Sequence, residues 1–307
     1  MHESVLLSES IEKLNLKDNS IIVDCTLGYA GHSSEILKKI SNGYLYAFDQ
    51  DDEAINYSKN KLKKINNNYD IIKSNFKNIK TELNKRGINK VDGILYDLGV
   101  SSPQLDEDYR GFSFHKDAFL DMRMDQENPL TAYKVVNEYS VEELINIFYK
   151  YGEEKYAKSI AQGIEKYRKE KNIETTLELV EIIKNNVPEK YKRDKHPARK
   201  VFQAIRIEVN HELEVFEYSL RKSLELLNVG GRICVITFHS LEDKICKEIF
   251  NEVSKIDKNI EKLPIIPEEY QKSFKIIGTY KPGKEELDKN NRARSAKLRV
   301  IERIKEG

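Results

Sequence analysis

The first hundred residues alternate between short apolar runs and segments whose apolar residues recur at helical spacing. Four of these runs predict β-strands, and they lie at residues 21–25, 44–49, 71–72 and 91–97. Strands that are separated by helices of this length form βαβ units, in which neighbouring strands run parallel. The chain is therefore expected to have an α/β fold built on a mostly parallel sheet.

This alternation stops between about residue 105 and residue 197, where no convincing strand appears and the apolar spacing is helical. The segments 140–143 and 175–178 both have the Ser/Thr-x-x-Glu pattern of a capping box at a helix start. We predict an all-helical insert at 105–197, which separates two parts of the α/β core at 1–104 and 198–307.

The second part of the core begins with a long amphipathic helix, predicted from about Ala198 to Leu227. The next residues, Asn228-Val-Gly-Gly, are typical of a helix end, so we expect the helix to stop there. The remaining apolar runs predict a fifth strand and a final hairpin, at 232–238, 276–277 and 298–301.

The overall composition excludes several classes of protein. The 307 residues carry a net charge of about +1, so no global field attracts nucleic acid or a membrane. Cys25, Cys234 and Cys246 are odd in number and lack metal-ligand spacing, which is typical of buried thiols in a reducing compartment. The chain shows neither a signal-peptide pattern nor an apolar run of membrane-spanning length. We therefore expect a cytoplasmic protein with no bound metal and no membrane contact.

Charge is nevertheless concentrated locally. Residues 184–206 include eight basic and two acidic side chains, and the segment from Lys281 to the end of the chain is also basic. Two basic segments on a neutral protein indicate a cationic face that contacts a phosphate backbone, although a solvated surface has the same composition.

A glycine-containing loop joins the first strand to the next helix, with the pattern D-x-T-x-G-x-x-G-H from residue 24 to residue 32. Glycine lets the backbone approach a ligand closely, and the helix start offers free N–H groups. Asp49 ends the second strand, where an acidic residue can accept hydrogen bonds from ribose hydroxyls. The incomplete G-x-G-x-x-G pattern argues against a dinucleotide. It leaves a smaller adenosine cofactor such as S-adenosylmethionine, or a tight turn without a ligand.

The fourth strand ends at Asp97 and runs into the loop Leu98–Gln104, in which Gly99 and Pro103 prevent a regular continuation. Ligands of open α/β sheets bind at the carboxyl ends of the strands, so this loop is the first candidate for chemistry. Aromatic, Arg and Asp residues follow at 109–114 and 121–125, a mixture that structural needs alone seldom require.

Two later segments also carry candidate residues. Arg199, Gln203, Arg206 and Asn210 share one face of the predicted long helix, either as phosphate or base contacts or as a solvated surface. His239 follows the fifth strand and would either order a substrate or cap the next helix. A Ser-His hydrolase is disfavoured, because the sequence lacks the G-x-S-x-G pattern of a nucleophile elbow.

In combination these segments resemble the RsmH (MraW) family of ribosomal RNA cytosine-N4 methyltransferases. The matching segments follow the family's order, at 2–7, 97–104, 110–114, 121–125, 196–212, 237–243 and 290–299. They span nearly the whole chain, and their conjunction is highly specific. Ala30 stands where many members have glycine and Asn291 where many have proline; the Ala30 methyl group is expected to leave cofactor binding intact.

The resemblance implies a class I S-adenosylmethionine-dependent methyltransferase fold, Rossmann-like, with an inserted helical domain that recognises the RNA substrate. By matching motifs, Ala30, Gly31 and His32 would contact the methionine end of the cofactor, Asp49 its ribose and Phe76 its adenine. Asp97 and Gln104 would line the cofactor and the reaction site. The implied substrate is one cytosine in the decoding region of 16S rRNA, methylated at N4 within the small ribosomal subunit.

Transfer to this exocyclic amine needs an acceptor for its N–H group, because the nitrogen lone pair is conjugated with the ring. We expect Asp97, or the loop carbonyls up to Ser101, to fill this role, and Phe112 or Phe114 to stack on the unstacked base. The expected substrate contacts are Arg110, Phe112, Phe114, Arg199, Arg206, His239, Arg292 and Arg294.

Two other functions fit parts of the sequence. A DNA cytosine-N4 methyltransferase would share the reaction, but it usually has a Pro-Pro-aromatic motif where this chain has Leu98-Gly99-Val100. A non-catalytic RNA-binding assembly factor would not need intact cofactor loops. The sequence is also compatible with a homodimer.

Overall fold

The computed structural model describes residues 4–100, 109–194, 196–256 and 270–306, together with residues 260 and 267. The side chains of Asp194 and Arg292 are outside this description. The chain divides into two compact units, Met1–Gly99 with Leu213–Gly307 and Val100–Glu212.

The first unit is built on a seven-stranded sheet. Its strands are β1 (Ile21–Asp24), β2 (Tyr44–Asp49), β3 (Tyr69–Lys73), β4 (Val91–Asp97), β5 (Leu227–Thr237), β6 (Phe274–Tyr280) and β7 (Lys297–Arg303). The strand order is β3-β2-β1-β4-β5-β7-β6, in which the first five strands are parallel and β7 is antiparallel to both of its neighbours. The predicted mostly parallel α/β sheet and the final hairpin are therefore confirmed.

The α-helices of the described residues follow in chain order. They are α1 (Leu7–Lys13), α2 (Gly31–Lys39), α3 (Asp52–Leu62), α4 (Ile79–Lys85), α5 (Ala132–Glu138), α6 (Val141–Lys150), α7 (Ala157–Arg168), α8 (Thr176–Asn185), α9 (Glu189–Asp194), α10 (Ala198–Asn210), α11 (Glu212–Leu226), α12 (Ser240–Ser254) and α13 (Lys284–Lys289). None of these helices combines the length and the apolar composition that crossing a membrane requires.

Alternate residues of each strand point to opposite faces of the sheet, and each face is covered by its own apolar cluster. On β4, Ile94 and Tyr96 belong to one cluster and Leu95 belongs to the other. Because both faces are buried, the parallel strands read as continuous apolar runs in the sequence rather than as alternating patterns. The three cysteines are free and buried, as predicted.

The second unit is helical in the part of residues 100–212 that the structure describes. Its helices are α5 to α10. Phe119 and Thr175 also pair through an isolated antiparallel β-bridge. Both predicted capping boxes are present, with the Ser140 and Thr175 side chains accepting hydrogen bonds from the backbone N–H groups of Glu143 and Glu178. These caps fix the starts of α6 and α8.

The predicted continuous helix at 198–227 is wrong. His211 has φ +50° and ψ +34°, a left-handed conformation that ends α10, and α11 begins at the next residue. A left-handed residue cannot continue a right-handed helix, so the amphipathic stripe is carried by two helices.

The predicted helix end near Leu227 is confirmed, since α11 ends at Leu226, but β5 begins directly after it and includes residues 228–231. A Cβ atom on Gly231 would lie 2.9 Å from the Asp92 carbonyl oxygen. Gly231 therefore allows the close approach of β5 to β4, and it does not serve as a helix cap.

Candidate functional site

The parallel strands of the first unit bring three carboxylates to one edge of the sheet. β1, β2 and β4 end in Asp24, Asp49 and Asp97, and the strand order reverses its direction between β1 and β4. In open α/β sheets this reversal opens a crevice at the carboxyl ends of the strands, and ligands bind there. The predicted ligand edge therefore contains the predicted acidic residues.

Asp24 stabilises the glycine loop through hydrogen bonds. Its side chain is buried, accepts a hydrogen bond of 2.6 Å from the Ser33 hydroxyl and another of 3.0 Å from the Thr26 N–H. Burial raises the pKa of this carboxyl, since a low-dielectric environment disfavours its charged form. The Thr26 hydroxyl in turn accepts a hydrogen bond of 2.7 Å from the Asp97 N–H, which ties the loop to β4.

The start of α2 lies directly against the N-terminal segment. Ala30, the N-cap residue, has φ +54° and ψ +41°, a left-handed conformation that costs a non-glycine residue about 1–2 kcal/mol. A Cβ atom on Gly31 would lie 1.8 Å from the Ser4 hydroxyl oxygen, so any larger residue here would force the Ser4 side chain to shift. No side chain of the described residues caps α2, and its first N–H groups are available to an anionic ligand group.

Asp49 accepts three backbone hydrogen bonds, of 2.8 Å from Gly28, 2.8 Å from Gln50 and 2.9 Å from Asp51. Burial raises the pKa of Asp49 to about 6. Its bond to Gly28 holds the glycine loop over the end of β2. A carboxylate has about four acceptor sites, so one site remains for a ligand hydroxyl. The ribose contact stays a prediction.

Phe76 begins a short 3₁₀ turn after β3, and its ring packs edge-on against the Tyr96 ring with centroids 5.6 Å apart. The preceding residue, Asn75, donates a hydrogen bond of 3.0 Å to the side chain of Gln50, which follows Asp49. The half-buried Phe76 ring therefore lies at the same edge as Asp49, and the predicted adenine contact has a suitable surface.

His32 and Asp97 form the central pair of this edge, with His32 Nδ1 3.4 Å from Asp97 Oδ2. The Asp97 side chain keeps 26 % of its accessible surface, but its Oδ1 atom is enclosed and has no hydrogen-bond partner among the described residues. The same holds for His32 Nε2. Enclosed polar atoms without partners are costly, and they fit a site that a polar ligand completes.

The surroundings shift the pKa values of Asp97 and His32 in opposite directions. Burial, with the nearby carboxylates of Asp24 and Glu242, raises the pKa of Asp97 to about 8. Burial lowers the pKa of His32 to about 4. At neutral pH both groups are therefore mainly uncharged, and a cation bound beside Asp97 would favour its ionised form.

The turn after β5 is fixed by Glu242, which the sequence analysis missed. This buried carboxylate accepts hydrogen bonds of 2.7 Å from the Phe238 N–H and 3.2 Å from the His239 N–H, and it lies 3.1 Å from His239 Nε2. His239 is the N-cap residue of α12, and its Nδ1 is enclosed without a partner among the described residues. A Glu three residues after the N-cap is one half of a capping box, but residue 239 is not the Ser or Thr of that pattern, so the sequence offers no clear signal for the pair.

Asp243 binds two basic residues of the C-terminal segment. Its carboxylate accepts hydrogen bonds of 2.7 Å from Lys297 and 2.7 Å from Arg299, which lowers its pKa. Arg294 is exposed in the turn before β7. Part of the basic segment is thus neutralised within the first unit.

The predicted substrate residues of the second unit differ in exposure. Arg110 and Phe112 are buried together, with the guanidinium 6.0 Å from the ring centroid and bonded to the Arg123 carbonyl at 3.1 Å. Phe114 is half-buried and stacks on His196 with centroids 4.6 Å apart. Their contacts with a base stay predictions, for which Phe114 offers more accessible surface than Phe112.

The residues of the predicted row on α10 also differ in exposure. Arg206 forms two hydrogen bonds to the Glu212 carboxylate, of 2.8 and 2.9 Å, and Asn210 bonds the backbone of Met122 and Met124. Arg199 is exposed. The residues Ser101 and Gln104 and the Arg292 side chain lie outside the described residues, so their predicted roles stay predictions.

A metal centre is not indicated, since no group of three or more His, Cys, Asp or Glu residues in the described ranges is placed to hold an ion.

Comparison with known proteins adds independent information. Residues 1–304 match the model of the MraW methylase family. The chain is 54 % identical over 309 residues to ribosomal RNA small subunit methyltransferase H of Exiguobacterium sibiricum, covering 99 % of both chains. It is 53 % identical over 307 residues to the protein of the same name from Finegoldia magna, covering 99 % of this chain and 98 % of the relative.

Two solved structures show lower similarity. A putative rRNA-methylase from Clostridium thermocellum superimposes with a TM-score of 0.46 at 13 % identity, with 100 % of both chains covered. A putative methyltransferase from Streptococcus mutans in complex with SAH gives a TM-score of 0.45 at 15 % identity, with 99 % of both chains covered.

The match over almost the whole chain, together with the sheet topology, confirms the predicted class I methyltransferase fold and S-adenosylmethionine as its cofactor. The chain belongs to the MraW methylase family.

Proposed function

We propose that this chain transfers a methyl group from S-adenosylmethionine to the N4 atom of one cytosine in the decoding region of 16S rRNA. The names of the two relatives support ribosomal RNA of the small subunit as the substrate. The observation that carries the proposed chemistry is the Asp97 carboxylate at the end of β4, which keeps 26 % of its accessible surface and has one oxygen without a hydrogen-bond partner among the described residues. With a ribosomal substrate, we expect the enzyme to act in the cytoplasm.

The residues present fit the cofactor along the sheet edge. The start of α2, with Ala30, Gly31 and His32, would hold the methionine end, Asp49 the ribose and Phe76 the adenine. When bound, S-adenosylmethionine supplies an electrophilic methyl group carried by a positively charged sulfonium.

The role of Asp97 is to accept a hydrogen bond from the cytosine amine. Accepting the N–H draws the lone pair of N4 out of conjugation with the ring, and the carboxylate can take the proton that the amine must lose on methylation. Asp97 must be ionised to do so. The Thr26 hydroxyl accepts a hydrogen bond from the Asp97 backbone N–H, and His32 Nδ1 lies 3.4 Å from Asp97 Oδ2. The Asp97 side chain keeps 26 % of its accessible surface, through which the substrate amine would reach the carboxylate.

The second unit would supply RNA recognition, with the segment 105–197 as the proposed substrate domain. A base in folded RNA must leave its stack to reach a strand-end carboxylate, and aromatic side chains stabilise such a base by stacking. Phe114 is suited to stack on the base because its ring is partly accessible. Arg199 is suited to contact the RNA because its charge is exposed.

The decisive experiment measures transfer of labelled methyl groups to small ribosomal subunits that lack the modification, followed by nucleoside analysis. We expect N4-methylcytidine at a single position of the 16S rRNA. Free 16S rRNA and duplex DNA are tested in parallel, and labelling of the DNA alone would establish a DNA methyltransferase instead. No transfer to any of the three substrates would favour a non-catalytic assembly factor.

The catalytic role is tested by Asp97→Asn, which removes the acceptor charge and keeps the size of the side chain. We expect kcat at saturating cofactor to fall by a factor of about 100 or more, the usual range for general acid–base groups. A thermal unfolding curve controls for folding. Near-normal turnover of this variant would contradict the proposed role.

A further inference from the structure

Three hydroxyl groups are buried inside the apolar cluster on one face of the sheet. Tyr96, Ser219 and Ser223 are fully buried, and they lie among residues such as Phe216 and Leu220. Burying a hydroxyl costs free energy unless it is hydrogen-bonded, and apolar residues would fill this space without that requirement. The three hydroxyls therefore point to a role other than packing.

The hydrogen bonds of these groups have a defined direction. The Ser219 hydroxyl donates to the Phe76 carbonyl oxygen at 2.9 Å, since a carbonyl can only accept. Because the single Ser219 proton is used there, Tyr96 donates to Ser219 at 2.6 Å, and Ser223 donates to Tyr96 at 2.7 Å. The chain of bonds thus begins at Ser223 and ends on the backbone of Phe76.

Phe76 is held from two sides as a result. Its carbonyl accepts hydrogen bonds from the Ser219 hydroxyl and from the Ile79 N–H, which uses both lone pairs. Its ring packs edge-on against the Tyr96 ring, whose hydroxyl belongs to the same chain of bonds. The backbone and the half-buried ring of Phe76 at the ligand edge are thus both in contact with this chain of hydrogen bonds.

We propose that Ser219 and Tyr96 are positioning residues for the adenine half of S-adenosylmethionine, and that they act through Phe76. This inference rests on the cofactor arrangement of the proposed function. It assigns to α11, which lies far from β3 in the sequence, control of one wall of the cofactor site.

The two serines provide a matched pair of variants. Ser219→Ala leaves the Phe76 carbonyl without its side-chain donor, whereas Ser223→Ala leaves the Ser219–Phe76 bond in place. Both variants remove one hydroxyl from the same helix and the same buried cluster. Ser219→Ala removes two hydrogen bonds of the chain and Ser223→Ala removes one, so thermal unfolding measures the structural cost of each variant separately.

The experiment is isothermal titration calorimetry of the full chain with S-adenosylhomocysteine and with 5′-methylthioadenosine, which has the adenine but lacks the amino-acid end. We expect Ser219→Ala to raise both dissociation constants by the same factor, about 3- to 10-fold, the usual effect of one hydrogen bond. Ser223→Ala should change them less than twofold, and kcat at saturating cofactor should stay within twofold for both variants.

Equal loss of affinity in the two variants, or no loss in Ser219→Ala, would overturn the proposal. If Ser219→Ala does not fold, Ser219→Cys replaces it, because its slightly larger thiol leaves no cavity and is a weaker donor; it should also weaken both ligands and spare kcat. Failure of the unmodified chain to bind either ligand would overturn the cofactor arrangement itself, a result that is distinct from equal behaviour of the two serine variants.

Discussion

At neutral pH, Asp97 and His32 are both mainly uncharged in the absence of a ligand. The pKa of Asp97 is raised to about 8 and that of His32 is lowered to about 4, with burial as the largest cause in both cases. In the proposed mechanism Asp97 accepts a hydrogen bond from the cytosine amine and must be ionised, which requires an interaction that favours loss of the Asp97 proton. The positive sulfonium of S-adenosylmethionine provides one, because an opposite charge nearby favours the carboxylate.

We therefore predict that binding of S-adenosylmethionine releases a proton from Asp97. Since the cation prefers the ionised carboxylate, affinity should rise with pH up to about 8 and then become constant. Calorimetry in buffers of different ionisation enthalpy measures the released protons directly. S-adenosylhomocysteine, which lacks the sulfonium charge, is the control ligand and should show a weaker pH dependence; identical pH profiles of the two ligands would contradict this coupling.

At the scale of elements, the end of α10 shows how one residue changes a helix. His211 is exposed and left-handed, and the break that it makes lies beside the last residue of the second unit, Glu212. The amphipathic spacing continues across the break, which explains why periodicity alone predicted one helix. A histidine gives no strong stop signal, unlike the glycine that usually occupies such a position.

The left-handed conformation of His211 predicts the effect of substitutions there. His211→Gly should raise the free energy of unfolding by about 0.5–1 kcal/mol, because glycine adopts a positive φ without the Cβ penalty. His211→Ala keeps the Cβ atom and should give no comparable gain. Urea denaturation measures both variants, and equal stability of the two would show that the backbone penalty at this position is negligible.

At the scale of the whole molecule, a net charge near +1 means that binding to RNA must depend on local groups of basic residues. The described contacts separate two kinds of arginine within the predicted basic segment. Arg199 is exposed, whereas Arg206 is neutralised by two hydrogen bonds to Glu212. The sequence alone does not distinguish Arg199 from Arg206, because each counts as one positive charge.

We predict that Arg199→Gln weakens binding to the small subunit and reduces the slope of log affinity against log salt by about 0.7–0.9. Arg206→Gln serves as the matched control, with an unchanged slope and a lower melting temperature, because it leaves Glu212 without its partner. Filter binding over a range of salt concentrations measures both slopes. A reduced slope in the Arg206 variant alone would reverse this assignment.

Periodicity and caps made most of the fold predictable. The strand runs, the final hairpin and the starts of α6 and α8 follow from local apolar spacing and from side chains within three residues of each helix start. The positions of Asp49 and Asp97 at strand ends follow from the same local patterns. The helix break at His211 and the strand that begins at Leu227 depend on packing, and they were predicted wrongly.

The sequence by itself determined the sheet, the acids at the ends of its strands and the family, because these depend on local order and on motifs that are continuous in the chain. Only the tertiary structure decided which polar groups meet. Asp97 lies against His32, Arg206 is neutralised by Glu212, and Ser219 reaches the carbonyl of Phe76, 143 positions earlier in the chain. Such contacts depend on how distant segments pack, and burial then sets the charge of each group.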